Sequence, residues 1–402
     1  MMLLAAVVLT VGCSDDDATS SRGVVTVELA PYASGYTETE PVSVGTRGDE
    51  PSSPVWAPDK YFFYEDLESA SGIYISNVNS AIGAFFTSVT THFVRKFFYD
   101  HGNGKWLINE PLDEGGDDNY YLYGIVPYNA ANVDITPLNG NYLNGAVMAM
   151  DGLASVMNQD PCIVVGAKHG SKNDGNDPVP AVSPMKLGDF YCNFKVSSSV
   201  EQNSLKPNYL FLLFDHLYAA LRFRFRVDAK YAELRSIRLK KLEMMAYQDQ
   251  ACTLPVQENV RTTVTLEANN TGASPIVGSI EFTQEGGPMG NFALIYENSE
   301  GNLIPTGNEY TDNLGFVPKI KSYFKLRSTY DVYDTNKTVE NNNKGNLIRK
   351  DCVAENKIDP MQLFQTESLD RGNLYTLNLT IKPTYLYVLS EPDLDSPTVT
   401  VE

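Results

Sequence analysis

Four histidines and five cysteines are the residues in this chain best suited to bind a metal or act as nucleophiles. His92, His101, His169 and His216 stand far apart, and none lies three or four residues from another His or from a Cys. A zinc site built on local spacing is therefore not expected. No GxSxG, HExxH, P-loop or dinucleotide fingerprint occurs. Carboxylates are abundant, with 50 Asp and Glu in 402 residues, but glycoside hydrolysis needs two of them at a set spatial separation, which spacing along the chain does not give. The acids of "DEGGDD" (113–118) lack the calcium-loop pattern and read as a solvated turn. The expectation is a protein that is not an enzyme, with no cofactor and no metal.

Two other positions point to processing of the chain. Twelve uncharged, mostly apolar residues precede Cys13, a length that suits a signal-peptide apolar region and is too short to span a bilayer. "TVGC" resembles the bacterial lipobox, in which the cysteine is lipidated and becomes the new N-terminus. The "SDDD" that follows resembles the surface-export signal of Bacteroides-type lipoproteins. An acyl group on Cys13 would anchor the protein to an outer membrane without spanning it. The second position is Arg47. The segment "APYASGYTETEPVSVGTRGDEPSSPVWAP" (30–58) is rich in Pro, Gly, Ser and Thr, reads as a long exposed loop, and holds one basic residue. Exposed loop tips are cut preferentially, so cleavage is expected between Arg47 and Gly48. That cut would also divide the "RGD" triplet at 47–49.

A net charge of −19 with no concentrated basic patch excludes binding to a nucleic-acid backbone. Cys162, Cys192, Cys252 and Cys352 allow two disulfides in three connectivities in an exported protein. Their apolar settings, "CIVVGA" and "FYCNF" among them, favour free buried thiols instead.

The elements that would carry these positions are strands. Hydrophobic residues make up 43% of the chain, enough for a real core, and the 24 Tyr and 18 Phe suit sheet faces. "GVVTVEL" (23–29) alternates with Val25, Val27 and Leu29 on one side. Strands are expected in 60–66, 92–100, 104–108, 119–128, 161–167, 189–196, 237–247, 261–268, 278–284, 291–297 and 373–382. In 221–227 Leu221, Phe223, Phe225 and Val227 alternate with Arg222, Arg224 and Arg226. The basic face could bind an acidic glycan, although such a stripe more often pairs with neighbouring acids. A short helix fits 228–236. Many short strands without a βαβ pattern argue for all-β sandwiches. A polar break at 197–208 divides the chain into β domains over 23–200 and 201–389, with a signal and linker over 1–22 and a tail over 390–402.

Three stretches resemble the FimA/Mfa-like fimbrillin family of Bacteroides-type bacteria. They are "YYLYGIVPYN" (120–129), "LFDHLYAALRFRFRV" (213–227) with the Ile237–Leu239 strand after it, and "DRGNLYTLNLTIKPTYLYV" (370–388). The resemblance implies two transthyretin-like β-sandwich domains in tandem and export as a lipoprotein. It also implies removal of the first strand by an Arg-directed protease and insertion of a strand from another subunit into the vacated groove. The partners so implied are other fimbrial subunits, and host or bacterial surface ligands. A stalk or tip pilin supporting adhesion is the first expectation, and a fimbrial anchor or a surface glycan-binding lipoprotein the alternative.

One repeat within the chain fits that scheme. "VTVE" occurs at 25–28 and again at 399–402. A strand that replaces 23–29 must be extended and apolar at alternate positions. Thr398, Val399, Thr400 and Val401 meet that requirement, with Val399 and Val401 in the places of Val25 and Val27. Pro392 and Pro397 are expected to resist regular pairing and to hold the tail away from its own domain.

Overall fold

A computed structural model describes residues 25–27, 37–39, 81–100, 105–108, 119–171, 193–195, 208–267, 276–284, 288–306, 309–337, 344–386 and 391–401. The first strands are β1 (Val25–Val27), β2 (Thr37–Thr39), β3 (Ile82–Thr87), β4 (His92–Asp100), β5 (Lys105–Ile108), β6 (Asn119–Val126) and β7 (Val133–Pro137). Next come β8 (Gly145–Ala154), β9 (Cys162–Ser171), β10 (Asn193–Lys195), β11 (Asn208–His216), β12 (Ala219–Val227), α1 (Ala229–Ala232) and β13 (Ser236–Tyr247). The rest are β14 (Asn259–Glu267), β15 (Ile276–Thr283), β16 (Ala293–Leu303), β17 (Thr311–Val317), β18 (Tyr323–Tyr333), β19 (Leu347–Ile358), α2 (Pro360–Phe364), β20 (Asn373–Leu386) and β21 (Glu391–Val401). The fold is all-β. No helix among the described residues is long and apolar enough to cross a membrane. Asp228 and Asp359 each accept main-chain N–H bonds at the starts of the two short helices.

The strands form four sheets around two cores. In the first core an eight-stranded sheet of order β10-β6-β3-β4-β5-β1-β11-β9 is joined by the four-stranded sheet β15-β14-β8-β7. β9 also pairs with β6 through Gly124–Val164, Ile125–Ile163 and Val126–Cys162, which closes the larger sheet into a ring. In the second core the sheet β17-β12-β20-β2, with β21 on β20, packs on the sheet β16-β13-β18-β19. Leu221, Phe223, Phe225 and Val227 of β12 are buried there against Leu239, Leu326, Leu377 and Leu379. That inward face is the one predicted from alternation.

Pairing crosses the polar break near residue 200 in both directions. β11 hydrogen-bonds to β9, and β14 to β8 from Asn259–Ala154 to Glu267–Gly145. Strands numbered above 200 thus complete the first sandwich. The two cores also meet. Ala220, Phe316 and Leu374 belong to the first core, while their chain neighbours Leu221, Val317 and Tyr375 belong to the second. Successive strand residues point to opposite faces, so this end of the β12–β17–β20 sheet is covered on both sides. The segment 37–39, expected to lie in an exposed loop, runs as β2 parallel to Asn373–Tyr375 of β20.

Gly83 shows how closely the first sandwich is packed. A Cβ at this position would lie 2.2 Å from Cδ2 and 2.3 Å from Cγ of Tyr128. Tyr128 is pinned by its N–H bond to the Ala81 carbonyl at 3.0 Å and by an edge contact with Phe85. The main-chain bond holds the Tyr128 backbone in place, and its ring cannot swing aside without losing the edge contact. Gly83→Ala is expected to lower the unfolding free energy by about 2 kcal/mol, a typical overpacking cost. Denaturant unfolding at constant m-value checks it.

Candidate functional site

The sequence singled out the first strand and the tail, and the structure gives the main-chain surroundings of both. β1 lies between two strands of the ring. It runs parallel to β11, with Val25 opposite Asn208 and Thr26 opposite Tyr209. It runs antiparallel to β5, with Thr26 opposite Leu107 and Val27 opposite Trp106. Taking β1 away would open the ring between β5 and β11. The result is a slot with unpaired main-chain groups on both walls, each costing about 1–3 kcal/mol if it stays buried and unmet. Leu29, Cys13, Arg47, Gly48 and the strand expected at 60–66 lie outside the described residues.

The tail is not held away from its own domain. β21 folds back antiparallel on β20, with Thr398 opposite Lys382, Val399 opposite Ile381, Thr400 opposite Thr380 and Val401 opposite Leu379. The prolines disturb the ladder without preventing it. Pairing jumps from Pro383–Pro397 to Thr384–Asp393, so residues 394–396 bulge out of register. A strand whose other side has no ladder tolerates proline, because the missing N–H can face away from its partner. β12 covers positions 374–381 on one edge of β20. β2 and β21 must therefore share the opposite edge, β2 at 373–375 and β21 from 379 onward.

The arginine face of β12 is engaged within the protein. Arg224 Nε donates to Asp312 Oδ1 at 3.2 Å, and both Arg224 and Arg226 lie over the Tyr310 ring. Arg226 Nε donates to Thr380 Oγ1 at 3.0 Å. Cys162 and Cys252 are buried free thiols, and Cys352 is a half-buried one. Burial pushes the Cys252 and Cys352 thiols above their usual range. Cys192 lies outside the described residues.

A polar cluster that local spacing did not reveal sits where the chain crosses between sandwiches. His216 Nδ1 is 2.9 Å from Asp160 Oδ2 and 3.9 Å from Cys162 Sγ, and all three residues are buried. Beside them Arg371 Nη1 donates to the buried Asp215 at 2.6 Å and to the His216 carbonyl at 2.9 Å. Burial raises the Asp215 carboxyl pKa, and the Arg371 charge and hydrogen bond pull it back. The Gly372 N–H bonds the Tyr218 carbonyl at 3.0 Å, and the Leu217 N–H bonds the Pro161 carbonyl at 2.9 Å. Asp160 and Cys162 are 56 and 54 residues from His216, so a search for neighbouring ligands in the sequence passes over them.

The chain is thus all-β, with two packed cores, a short strand held in a ring and a C-terminal edge strand. No family model matches the chain, and no curated protein matches it. Among solved structures it is similar to a candidate cell adhesion protein from Bacteroides fragilis NCTC 9343, with 10% identity, 95% of this chain and 97% of the other covered, and a TM-score of 0.38. A candidate cell adhesion protein from Bacteroides uniformis ATCC 8492 aligns with 10% identity, coverage of 84% and 94%, and a TM-score of 0.34. A fimbrial protein from Bacteroides vulgatus ATCC 8482 aligns with 11% identity, coverage of 81% and 92%, and a TM-score of 0.30. Likeness of this size assigns no residue a role, so the functional reading rests on the chain itself.

Proposed function

We propose that this chain is a structural subunit, stalk or tip, of cell-surface fimbriae that support adhesion. It is exported as an outer-membrane lipoprotein through Cys13 and cut between Arg47 and Gly48. It then joins other subunits by strand exchange. The observation that carries this reading is the setting of β1, a three-residue strand between β5 and β11 that belongs to the segment before Arg47. Removing that segment empties the slot and also strips β2 from the edge of β20. An open slot of this kind seeks an extended partner. The tail repeats the "VTVE" of the displaced strand, and its described pairing is to β20. Release of that hairpin would free it for the next subunit.

The test is the behaviour of the mature protein in unheated cell extracts. A polymer joined by exchanged strands runs as an SDS-resistant ladder that collapses to monomer on boiling. A single monomer band in both samples would overturn the reading and leave a monomeric surface protein.

A further inference from the structure

The cluster at the junction has the makings of a metal site. Asp160 precedes β9, Cys162 opens β9 and His216 ends β11, and the antiparallel ladder places Cys162 directly opposite His216. Relative exposure is 0% for Asp160 and Cys162 and 2% for His216. One oxygen, one sulfur and one ring nitrogen from these side chains lie within 4.8 Å of one another. The Asp160 main-chain carbonyl adds an oxygen 3.5 Å from the Cys162 sulfur.

The geometry does not suit a nucleophile relay. A relay needs the carboxylate on one ring nitrogen and the thiol on the other, whereas here both face Nδ1. Donors gathered around one point fit a tetrahedral ion instead. Zinc bond lengths give a nitrogen–oxygen edge of about 3.3 Å and a nitrogen–sulfur edge of about 3.6 Å. The separations of 2.9 Å and 3.9 Å each lie within about half an ångström of those edges. A thiolate, imidazole and carboxylate set selects zinc over magnesium or calcium, which take all-oxygen shells. Charge also fits: a divalent ion with one thiolate, one carboxylate and a neutral imidazole is neutral overall, as a fully buried site requires. The neighbouring Arg371 is paired with Asp215 and adds no unbalanced charge.

We infer that Asp160, Cys162 and His216 bind one zinc ion, with the Asp160 carbonyl as a further donor. The ion would clamp the start of β9 to the end of β11, the strand that forms one wall of the β1 slot. This site does not depend on the fimbrial reading.

The test uses the intact chain purified from zinc-supplemented cells and dialysed against metal-free buffer. Elemental analysis should find about one zinc per chain. Cobalt(II) added to the metal-stripped protein should give tetrahedral absorption with a thiolate-to-cobalt charge-transfer band. Cys162→Ser is nearly isosteric. With an unchanged circular dichroism spectrum, it should lose the charge-transfer band and weaken metal binding by about tenfold or more. If His216→Ala fails to fold, the serine variant and the wild-type titration still decide the matter. A folded wild type that carries no zinc and gives no cobalt band overturns the proposal, leaving a hydrogen-bonded cluster. A charge-transfer band that persists in Cys162→Ser overturns it equally, because the metal then sits at another cysteine.

Discussion

Deleting residues 390–402 is expected to give a folded protein that no longer forms polymer. β20 holds its place without the tail, because β12 pairs with it from Leu374 to Ile381 and Leu377, Leu379 and Ile381 stay in the core. The deletion removes the β20–β21 ladder and exposes an edge of β20, while the β12 ladder on the other edge stays whole, so the melting temperature should fall by only a few degrees, about what 1 kcal/mol does to a domain of this size. Polymer, in contrast, should fall to background, since no other segment repeats the displaced strand. Mixed with wild type, the truncated subunit should accept a donor but offer none, and shorten the ladder by capping. Paired cysteines at Val399 and Asn208 test the same contact. Val399 in the place of Val25 would sit opposite Asn208 on β11 of the receiving subunit, so disulfide-linked oligomers should appear in the double variant alone. Normal ladders from the truncated protein would mean that the donor lies elsewhere and that the repeat of "VTVE" is coincidence.

An equally large loss is expected when the cleavage site is removed. Arg47→Ala should leave the chain before Gly48 attached, and with it β1 in the ring. A tethered strand faces its slot at an effective concentration in the millimolar range. A second subunit in dilute solution is far below that, so the slot stays filled by the protein's own segment. The variant should accumulate as monomer at precursor size and give no ladder. Wild-type polymer should show Gly48 as its N-terminal residue by mass spectrometry. Ladders from Arg47→Ala at wild-type strength, or an intact Arg47–Gly48 bond in the polymer, would overturn the role given to this cut. The two variants fail differently: the tail deletion keeps an open slot without a donor, and Arg47→Ala keeps a donor without an open slot. Mixing them should restore dimers, with the Arg47→Ala tail in the slot of the truncated partner.

Sequence alone settled the class of the fold and several of its strands. The alternation of Leu221, Phe223, Phe225 and Val227 with three arginines put β12 and its buried face in place, because a strand with one covered face must repeat every second residue. The helix expected in 228–236 is α1. "IGAFFT" gave no such signal. All six residues of β3 are buried, and a strand covered on both faces has no polar alternation to show. β7, β8, β17, β18 and β19 likewise lie outside the strands expected from the sequence. What only the tertiary structure decided was which strands meet. It returned β11 and β14 to the first sandwich, folded the tail onto β20, closed the ring through β6 and β9, and brought Cys162 and Asp160 to His216 across more than fifty residues. The physical reason is that periodicity is set by a strand's own neighbours in the chain. Pairing is set by complementary faces and unmet main-chain groups, which can lie at any distance along it.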